Sequence, residues 1–566
     1  MKLEQWQGAW QQLIAPGSPF EVVTPSEGGP RYFRNAPGNL LEAIEVGRQH
    51  GEREFVLWEQ QRLTFNDFFD QVDRLAGQLV QRYGVRPGDR VAIAMRNQPA
   101  WLVAFVATQR CAAVCVPLNS WGLRDELFHG LQDSGATVLL CDEPRLQLLI
   151  DDLRTHELPS IVVGLADDQP VPALCGRYEM LMQDPPLQVP AVSIQADDPA
   201  LILYTSGTTS RAKGVLSSHR AVCQALAALE FQGMFCAMTS PERIGAVINS
   251  GFAPTNLMAV PLFHVSGLHA QFLLALRSGR RLLLMYKWDV DKAFDLIRDE
   301  RCTQFNGAPV MMQQLLRSPR FGSADTASLF GLGLGGAAAS SSLLAHLTER
   351  KPEAIGGSGY GLTESNGIAA AVGGDQFVYK PNSVGWPLPI VDVRIGDHPH
   401  EPLPPGHNGL IWLRSPTLMS EYWNLPLASA ETLRDGWLDT GDIGHLDDEG
   451  YLYITDRAKD LINRGGEMIS AGEVESCACE MPDITEAAAI AVADEALGER
   501  LVLIVRSEAV PAPSGEQICT FIGQRLAAYK VPAQVHIQRE PLPRNASGKV
   551  VKAELKAGFH EYLVGR

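Results

Sequence analysis

The chain lacks any uninterrupted apolar run approaching the roughly 18 residues that a membrane-spanning helix needs. Its start, MKLEQWQGAW, lacks a basic segment followed by an apolar one, so no secretory signal is read there. Basic charge is in short supply: 48 Lys+Arg stand against 65 Asp+Glu, a formal net charge of −17. Such a chain repels polyphosphate at long range, which argues against non-specific nucleic-acid binding, although a local loop can still hold a phosphorylated small ligand. Ten cysteines are scattered through 566 residues, and the close pairs Cys111/Cys115 and Cys477/Cys479 have no zinc-finger spacing. No disulfide framework, internal repeat or low-complexity tract is present. A soluble, cytoplasmic protein is expected. What the chain does have is 45% hydrophobic and 20% charged residues, the composition of a folded globular protein. Its length corresponds to about four domains at roughly 150 residues each, or to fewer large ones.

The N-terminal part alternates helical and strand-like patterns. Apolar residues at Phe68, Val72, Leu75, Ala76, Leu79 and Tyr83 follow the helical period, with Thr64 as N-cap and Gly84 as stop. The turn Arg86-Pro87-Gly88-Asp89 leads into a short apolar strand at 91–95, a helix at 99–112 and another strand at 114–118. Strand–helix–strand alternation of this kind predicts parallel sheets covered by helices. A break falls near Thr455–Lys459, after the strand-like 450–454. About 105 residues follow it, enough for a small separate domain.

The densest chemical signal is YTSGTTSRAKGV at 204–215. The strand-like 201–204 runs into hydroxyl side chains, two glycines and Lys213. Glycines let backbone N–H groups approach an anion, and hydroxyls with a cation complete a phosphate cradle; the plainer alternative is a Ser/Thr-rich surface loop. A Walker A loop ends in Gly-Lys-Ser/Thr, whereas this one ends Ala212-Lys213-Gly214, so an ordinary P-loop is disfavoured. Three other patterns fail. Gly331 to Gly336 matches GxGxxG, but its first following acid, Glu349, falls short of the spacing expected for a ribose-binding acid. Gly356-Gly357-Ser358-Gly359-Tyr360 misses the nucleophile elbow because Tyr360 stands where the last glycine belongs. His264 and His269 have no supporting carboxylate or cysteine, and read as structural before they read as metal ligands.

The phosphate loop resembles the signature loop of the adenylate-forming superfamily, and seven further segments extend the resemblance from about residue 50 to Lys552. They are PLFH (261–264), GGA (335–337), YGLTES (360–365), DGWLDTGDIG (435–444), DRAKDLINRGGEMIS (456–470), AYKVP (528–532) and PRNASGK (543–549). The resemblance is to the acyl-CoA synthetase type. It implies an α/β fold with a large N-terminal domain of helix-covered sheets (1–458) and a small mobile C-terminal α+β domain (459–566). ATP, Mg²⁺ and the co-substrate CoA are implied with it, as is a small-molecule carboxylic acid, in a monomer or homodimer.

Residue roles follow in the same way. Thr205, Ser206, Gly207, Thr208 and Thr209 would hold phosphate with Lys213, and Gly335, Gly336 and Ala337 would wall the nucleotide and acyl pocket. Tyr360 offers an aromatic face to adenine, followed by Gly361, and Thr363 would bond phosphate. Glu364 is a hard oxygen ligand suited to Mg²⁺ beside a triphosphate. Asp442, which read alone is as much a turn residue as a site residue, would bind ribose hydroxyls with help from Arg457. Lys549, which read alone is an exposed lysine near a terminus, becomes the mobile cation joining the attacking carboxylate to the α-phosphate. With an ordinary lysine pKa it stays charged and acts electrostatically. Lys459 would be the hinge, and Gly465 and Gly466 would line the CoA tunnel.

Departures from the family pattern are Ser210, where glycine is usual, and Ala212 and Ala471, where proline is usual; none removes a reacting group. Phe263-His264-Val265-Ser266 replaces the Asp-containing segment that holds the α-ammonium in amino-acid-adenylating relatives. Burying an ammonium without a counter-charge is costly, so amino acids are disfavoured and His264 takes the place of the gating histidine. The apolar, Met-rich flanks at 269–276 and 306–316 suit an aliphatic or bulky hydrophobic acid, a fatty acid first, with plain core packing as the alternative. Loading of a carrier-protein phosphopantetheine, activation of a ring-bearing acid, and a non-enzymatic nucleotide sensor are the other readings at this stage.

Overall fold

The computed structural model describes the chain apart from residues 1, 27, 167–168, 170–172, 206–211, 336–340, 495–496, 547 and 565–566. Two large sheets dominate the N-terminal part. The first has eight strands in the order Glu421–Tyr422, Gly214–Ser218, Pro199–Tyr204, Val114–Pro117, Arg90–Ala94, Val138–Asp142, Ser160–Val163 and Cys175–Arg177. It is parallel from Pro199–Tyr204 onward, with antiparallel pairs at the Gly214–Ser218 edge.

The second sheet has nine strands, Trp386–Pro387, Ala370–Gly373, Ile355–Tyr360, Gly331–Leu334, Gln304–Gly307, Thr255–Met258, Arg281–Leu284, Glu54–Trp58 and Gln61–Thr64. Its six central strands are parallel. Parallel strands require crossover helices, and the alternation read from the sequence is that requirement expressed in residues.

Helices Phe65–Gln81, Pro99–Arg110 and His219–Thr239 contribute to the core shared by the two sheets. Phe65–Gln81 is capped by a reciprocal Thr64–Asp67 box, as its apolar period and N-cap predict. Pro99–Arg110 is buried at every position from Pro99 to Gln109, which explains why it is apolar all round. Among the described residues, one helix, His219–Thr239, is long and apolar enough by length and composition to cross a membrane; over half of it is buried inside the molecule. The rings of Phe55, Phe68 and Phe105 converge on Phe272, at 6.1–6.4 Å between centroids.

A third, antiparallel sheet follows, in which Trp437–Leu446 pairs with Leu452–Arg457. Sheet membership then changes: Ile462–Arg464, Glu467–Ile469, Glu486–Asp494, Gly498–Arg506 and Gln534–Gln538 form a separate sheet with helices and two small cores of its own. This smaller α+β body touches the larger one where Gln313 Nε2 donates to the Thr485 carbonyl at 3.3 Å.

Replacement of Phe272 by Ala removes the ring on which three others pack, and is expected to destabilise the large domain by about 3–5 kcal/mol. The check is a lowered urea midpoint with unchanged slope.

Candidate active site

Strands Pro199–Tyr204 and Gly214–Ser218 pair antiparallel up to Tyr204 opposite Gly214. Thr205 N donates to the Lys213 carbonyl at 2.9 Å and Lys213 N to Thr205 Oγ1 at 3.3 Å, closing the base of the predicted phosphate loop. Ser206, Gly207, Thr208 and Thr209, with Ser210, lie outside the described residues, as do Gly336 and Ala337. The Lys213 ammonium stands 4.5 Å over the ring of Tyr422, which the edge strand Glu421–Tyr422 brings alongside Val215. Tyr422 in turn donates its hydroxyl to Glu364 Oε1 at 2.7 Å. Burial and the Glu364 carboxylate push the Tyr422 hydroxyl well above its ordinary pKa, so it remains a donor. Tyr422 is the member of this group that sequence reasoning missed, because its place depends on a strand pairing that no local pattern announces.

Glu364 sits in the short 3₁₀ turn Thr363–Ser365, just beyond Gly361 and the strand Ile355–Tyr360. A cavity of about 240 Å³ opens between Glu364 and Tyr422 on one side and Asp439, Thr440 and Gly441 on the other. A larger one, about 570 Å³, is lined by Trp10, Arg31, Trp386 and Trp437 and includes none of the site residues.

Asp442 faces Arg457 because the antiparallel register places them opposite each other. The preceding Gly441 turns the strand with φ +66°, a left-handed conformation that a side chain would disfavour. Asp442 Oδ1 lies 3.1 Å from Arg457 Nε, and Oδ2 accepts from the Tyr360 hydroxyl at 2.8 Å. Burial raises the pKa of Asp442, while the Arg457 guanidinium, the Tyr360 hydroxyl and the nearby Lys549 oppose the rise. The carboxylate is therefore oriented on both oxygens, with lone pairs left for two neighbouring hydroxyls. The Tyr360 hydroxyl, which the sequence reading did not use, thus orients Asp442.

Lys549 comes into this site from the small domain. Asn545 N donates to the Lys549 carbonyl and Lys549 N to Asn545 Oδ1, each at 2.9 Å, pinning the turn that carries it. Gly548, at φ +83°, rests where an added Cβ would be 3.0 Å from Ala308 Cβ of the large domain. Burial of the Lys549 amine and repulsion from Arg457 bring its pKa down to about 8, against the pull of Asp442 and Glu364. Lysine with its ordinary pKa, as the sequence suggests, is thus corrected to a more easily discharged cation, still mostly protonated at pH 7.

His264 is held neutral, its pKa lowered to about 4 by burial and then by Lys549. Its Nε2 is buried without a hydrogen-bond partner among the described residues. Lys459 lies in the turn Ala458–Asp460 between the third and the C-terminal sheets, and burial lowers its pKa. Gly465 and Gly466 are not brought to the site: they form an exposed hairpin turn on the small domain.

The donor set suits Mg²⁺. Among the described residues no three or more His, Cys, Asp or Glu cluster as a metal cage. A single oriented carboxylate, Glu364, beside a phosphate cradle is how Mg²⁺ is usually held, with substrate phosphates and water completing its shell. The metal would supply charge neutralisation on the phosphates.

Comparison with known proteins identifies the family. Residues 44–423 match the model of the AMP-binding enzyme family, and residues 473–549 that of the AMP-binding enzyme C-terminal domain. A feruloyl-CoA synthase of Amycolatopsis sp is 34% identical over 503 residues, covering 88% of this chain and 94% of that protein. The long-chain-fatty-acid–CoA ligase FadD13 of Mycobacterium tuberculosis is 32% identical over 499 residues, covering 88% and 93%. Among solved structures, o-succinylbenzoate coenzyme A synthetase from Bacillus subtilis, in complex with ATP and magnesium ion, superposes with a TM-score of 0.74 at 28% identity, covering 91% of this chain and 99% of that one. The chain belongs to the AMP-binding enzyme family, the adenylate-forming superfamily, in its acyl-CoA synthetase type.

Proposed function

We propose that the protein joins a carboxylic acid with a largely apolar body, chain- or ring-bearing, to CoA in two steps at one site, in the cytoplasm. The acid carboxylate attacks the α-phosphorus of ATP, and pyrophosphate leaves. The CoA sulfur then attacks the acyl carbon, giving thioester and AMP with release of the thiol proton. The observation that carries the reading is the entry of Lys549 from the small domain into a site whose other charges, Glu364, Asp442 and Arg457, belong to the large one.

In the first step Lys213 and Lys549 neutralise phosphate charge as it shifts toward the leaving group, and Asp442, fixed by Tyr360 and Arg457, holds the ribose. Glu364 would hold Mg²⁺, with Tyr422 fixing the carboxylate's orientation. His264 keeps an apolar, uncharged wall beside the reacting carboxyl. Residues 1–458 and 459–566 act as the two bodies. Lys459 is the hinge about which the small domain turns, withdrawing Lys549 and offering the Gly465–Gly466 turn as a smooth passage for pantetheine.

Three measurements bear on this. Tyr422→Phe keeps the ring under Lys213 but frees Glu364, and is expected to raise the Mg²⁺ needed for half-maximal adenylation by about tenfold, with Glu364→Gln more severe. An unchanged Mg²⁺ titration for both variants removes Glu364 from the metal site.

The kcat/KM of adenylation is expected to fall as pH rises through about 8, because the free enzyme needs Lys549 protonated. In kcat the fall moves to higher pH, since bound triphosphate favours the ammonium. Lys549→Arg, charged throughout, should lose that limb whatever its absolute rate.

Separated half-reactions test the hinge. Lys549→Ala is expected to slow acyl-AMP formation by about two to three orders of magnitude while purified acyl-AMP still passes to CoA. Lys459→Pro should do the opposite by stiffening the turn. Equal losses in both steps for both variants contradict domain alternation.

A further inference from the structure

Strand alternation gives the second sheet two unlike faces. Phe305, Leu332 and Leu334 pack with Leu315 and Leu347 on one side. Gln304, Asn306, Gly331, Gly333 and Gly335 point to the other. Central strands of a sheet covered on both faces are normally sealed, yet these five positions are all partly accessible. A Cβ built on Gly335 would meet nothing within 4 Å. The helices opposite stand close by: Gln271 Nε2 donates to the Asn306 carbonyl at 3.3 Å, and Gln232 Nε2 lies 3.8 Å from a Cβ position on Gly373. A partly accessible passage along this face therefore runs from Gly335 back to Gly331, about 13 Å at the rise of a parallel strand, narrowed where the Asn306 side-chain oxygen lies over Gly333.

The far end of this passage is polar. Gln304, which lies over Gly331, accepts a hydrogen bond from Arg280 Nη1 at 3.0 Å. Asn256 is paired in register with Gln304. The side-chain oxygen of Asn256 is buried without a hydrogen-bond partner among the described residues, which leaves Arg280 as the donor at this end. Arg280 differs from the arginines that flank it. Arg277 is paired with Glu230 at 2.6 Å, and Arg281 with Glu300 at 2.9 Å. No carboxylate among the described residues lies within ion-pair distance of Arg280. Burial holds its pKa below the ordinary arginine value, and no neighbouring charge opposes that shift.

A guanidinium held in a low-dielectric setting without a counter-charge is an unfavourable way to end a fatty-acid tunnel. It is a favourable way to bind oxygen. We propose that this enzyme selects acids carrying a second oxygen function, a carboxylate or a carbonyl, at the end remote from the reacting carboxyl, and that Arg280, held by Gln304, reads that oxygen. The proposal rests on the acid–CoA ligase reading above and narrows its substrate class: an apolar body that spans the glycine floor, with a polar far end.

The test uses the full chain and three acids of matched length spanning the passage: a plain monocarboxylic acid, its distal keto analogue and the α,ω-dicarboxylic acid. Pyrophosphate release with CoA gives kcat/KM for each. Wild type is expected to prefer one of the oxygenated acids over the plain one by at least about tenfold, as sites built around a hydrogen bond do. The preferred member of the pair identifies the oxygen as carboxylate or carbonyl. Arg280→Met should abolish the preference, chiefly through KM. Gln304→Leu, which leaves the charge but removes its anchor, should weaken the preference and decides the matter if the first variant does not fold. No preference in wild type, or an equal fall for all three acids in the variants, overturns the proposal. Absence of pyrophosphate release with every acid overturns the ligase reading, and this one with it.

Discussion

The site depends on burying an ammonium group. Lys549 is carried by a turn of the small domain into a pocket whose walls belong to the large one, and there it loses most of its hydration. Holding a lone ammonium in that way would be costly. Asp442 and Glu364 make the placement tolerable, while Arg457 opposes it, and the outcome is a lysine with a pKa of about 8. That balance also explains the arrangement around it. Asp442 is clamped by Tyr360 and Arg457, and Glu364 by Tyr422, because carboxylates that must stabilise an incoming charge are most effective when they need not reorganise. Burial, and after it the same cation, keep His264 neutral, so that side of the pocket carries no competing charge.

Much of this was legible in the sequence, and what was legible shares a property: it is local. The helix Phe65–Gln81 was readable from its period and from Thr64, and the strand–helix alternation from short apolar runs between turns. The strand at 201–204 and the loop that follows it were readable because glycines and hydroxyls crowd into a dozen residues ahead of Lys213, although the returning strand Gly214–Ser218 was not. Asp442 and Arg457 were harder. Read singly, Asp442 is as much a turn residue as a site residue, and Arg457 enters only through the resemblance that pairs them; the antiparallel register supplies the reason.

What stayed hidden is what depends on distant pairing. Tyr422 reaches Glu364 because a two-residue strand joins the edge of the first sheet, and no spacing in the sequence foretells that. Arg280 sits in a run of basic residues at the end of a helix, indistinguishable there from Arg277 and Arg281. Its difference is a matter of which carboxylates come near, and these lie elsewhere along the chain: Glu230 for one neighbour, Glu300 for the other. The lowered pKa of Lys549 was likewise invisible, since desolvation belongs to the assembled pocket and to no residue within it.

The second sheet has a consequence for how the chain is made. Its strand Glu54–Trp58 pairs on one side with Gln61–Thr64, but on the other with Arg281–Leu284, over two hundred residues later. At ribosomal speeds the early hairpin therefore waits roughly 10–45 s with one apolar edge unpaired before its partner emerges. An open edge of Phe55, Val56 and Leu57 is a template for pairing with another nascent chain. The helix Phe65–Gln81, which follows at once and covers Phe55 with Phe65 and Phe68, shields the face of that hairpin during the interval, though it leaves the backbone edge bare. Yield in a heterologous host should thus be governed less by the stability of the finished enzyme than by how quickly its middle third is translated.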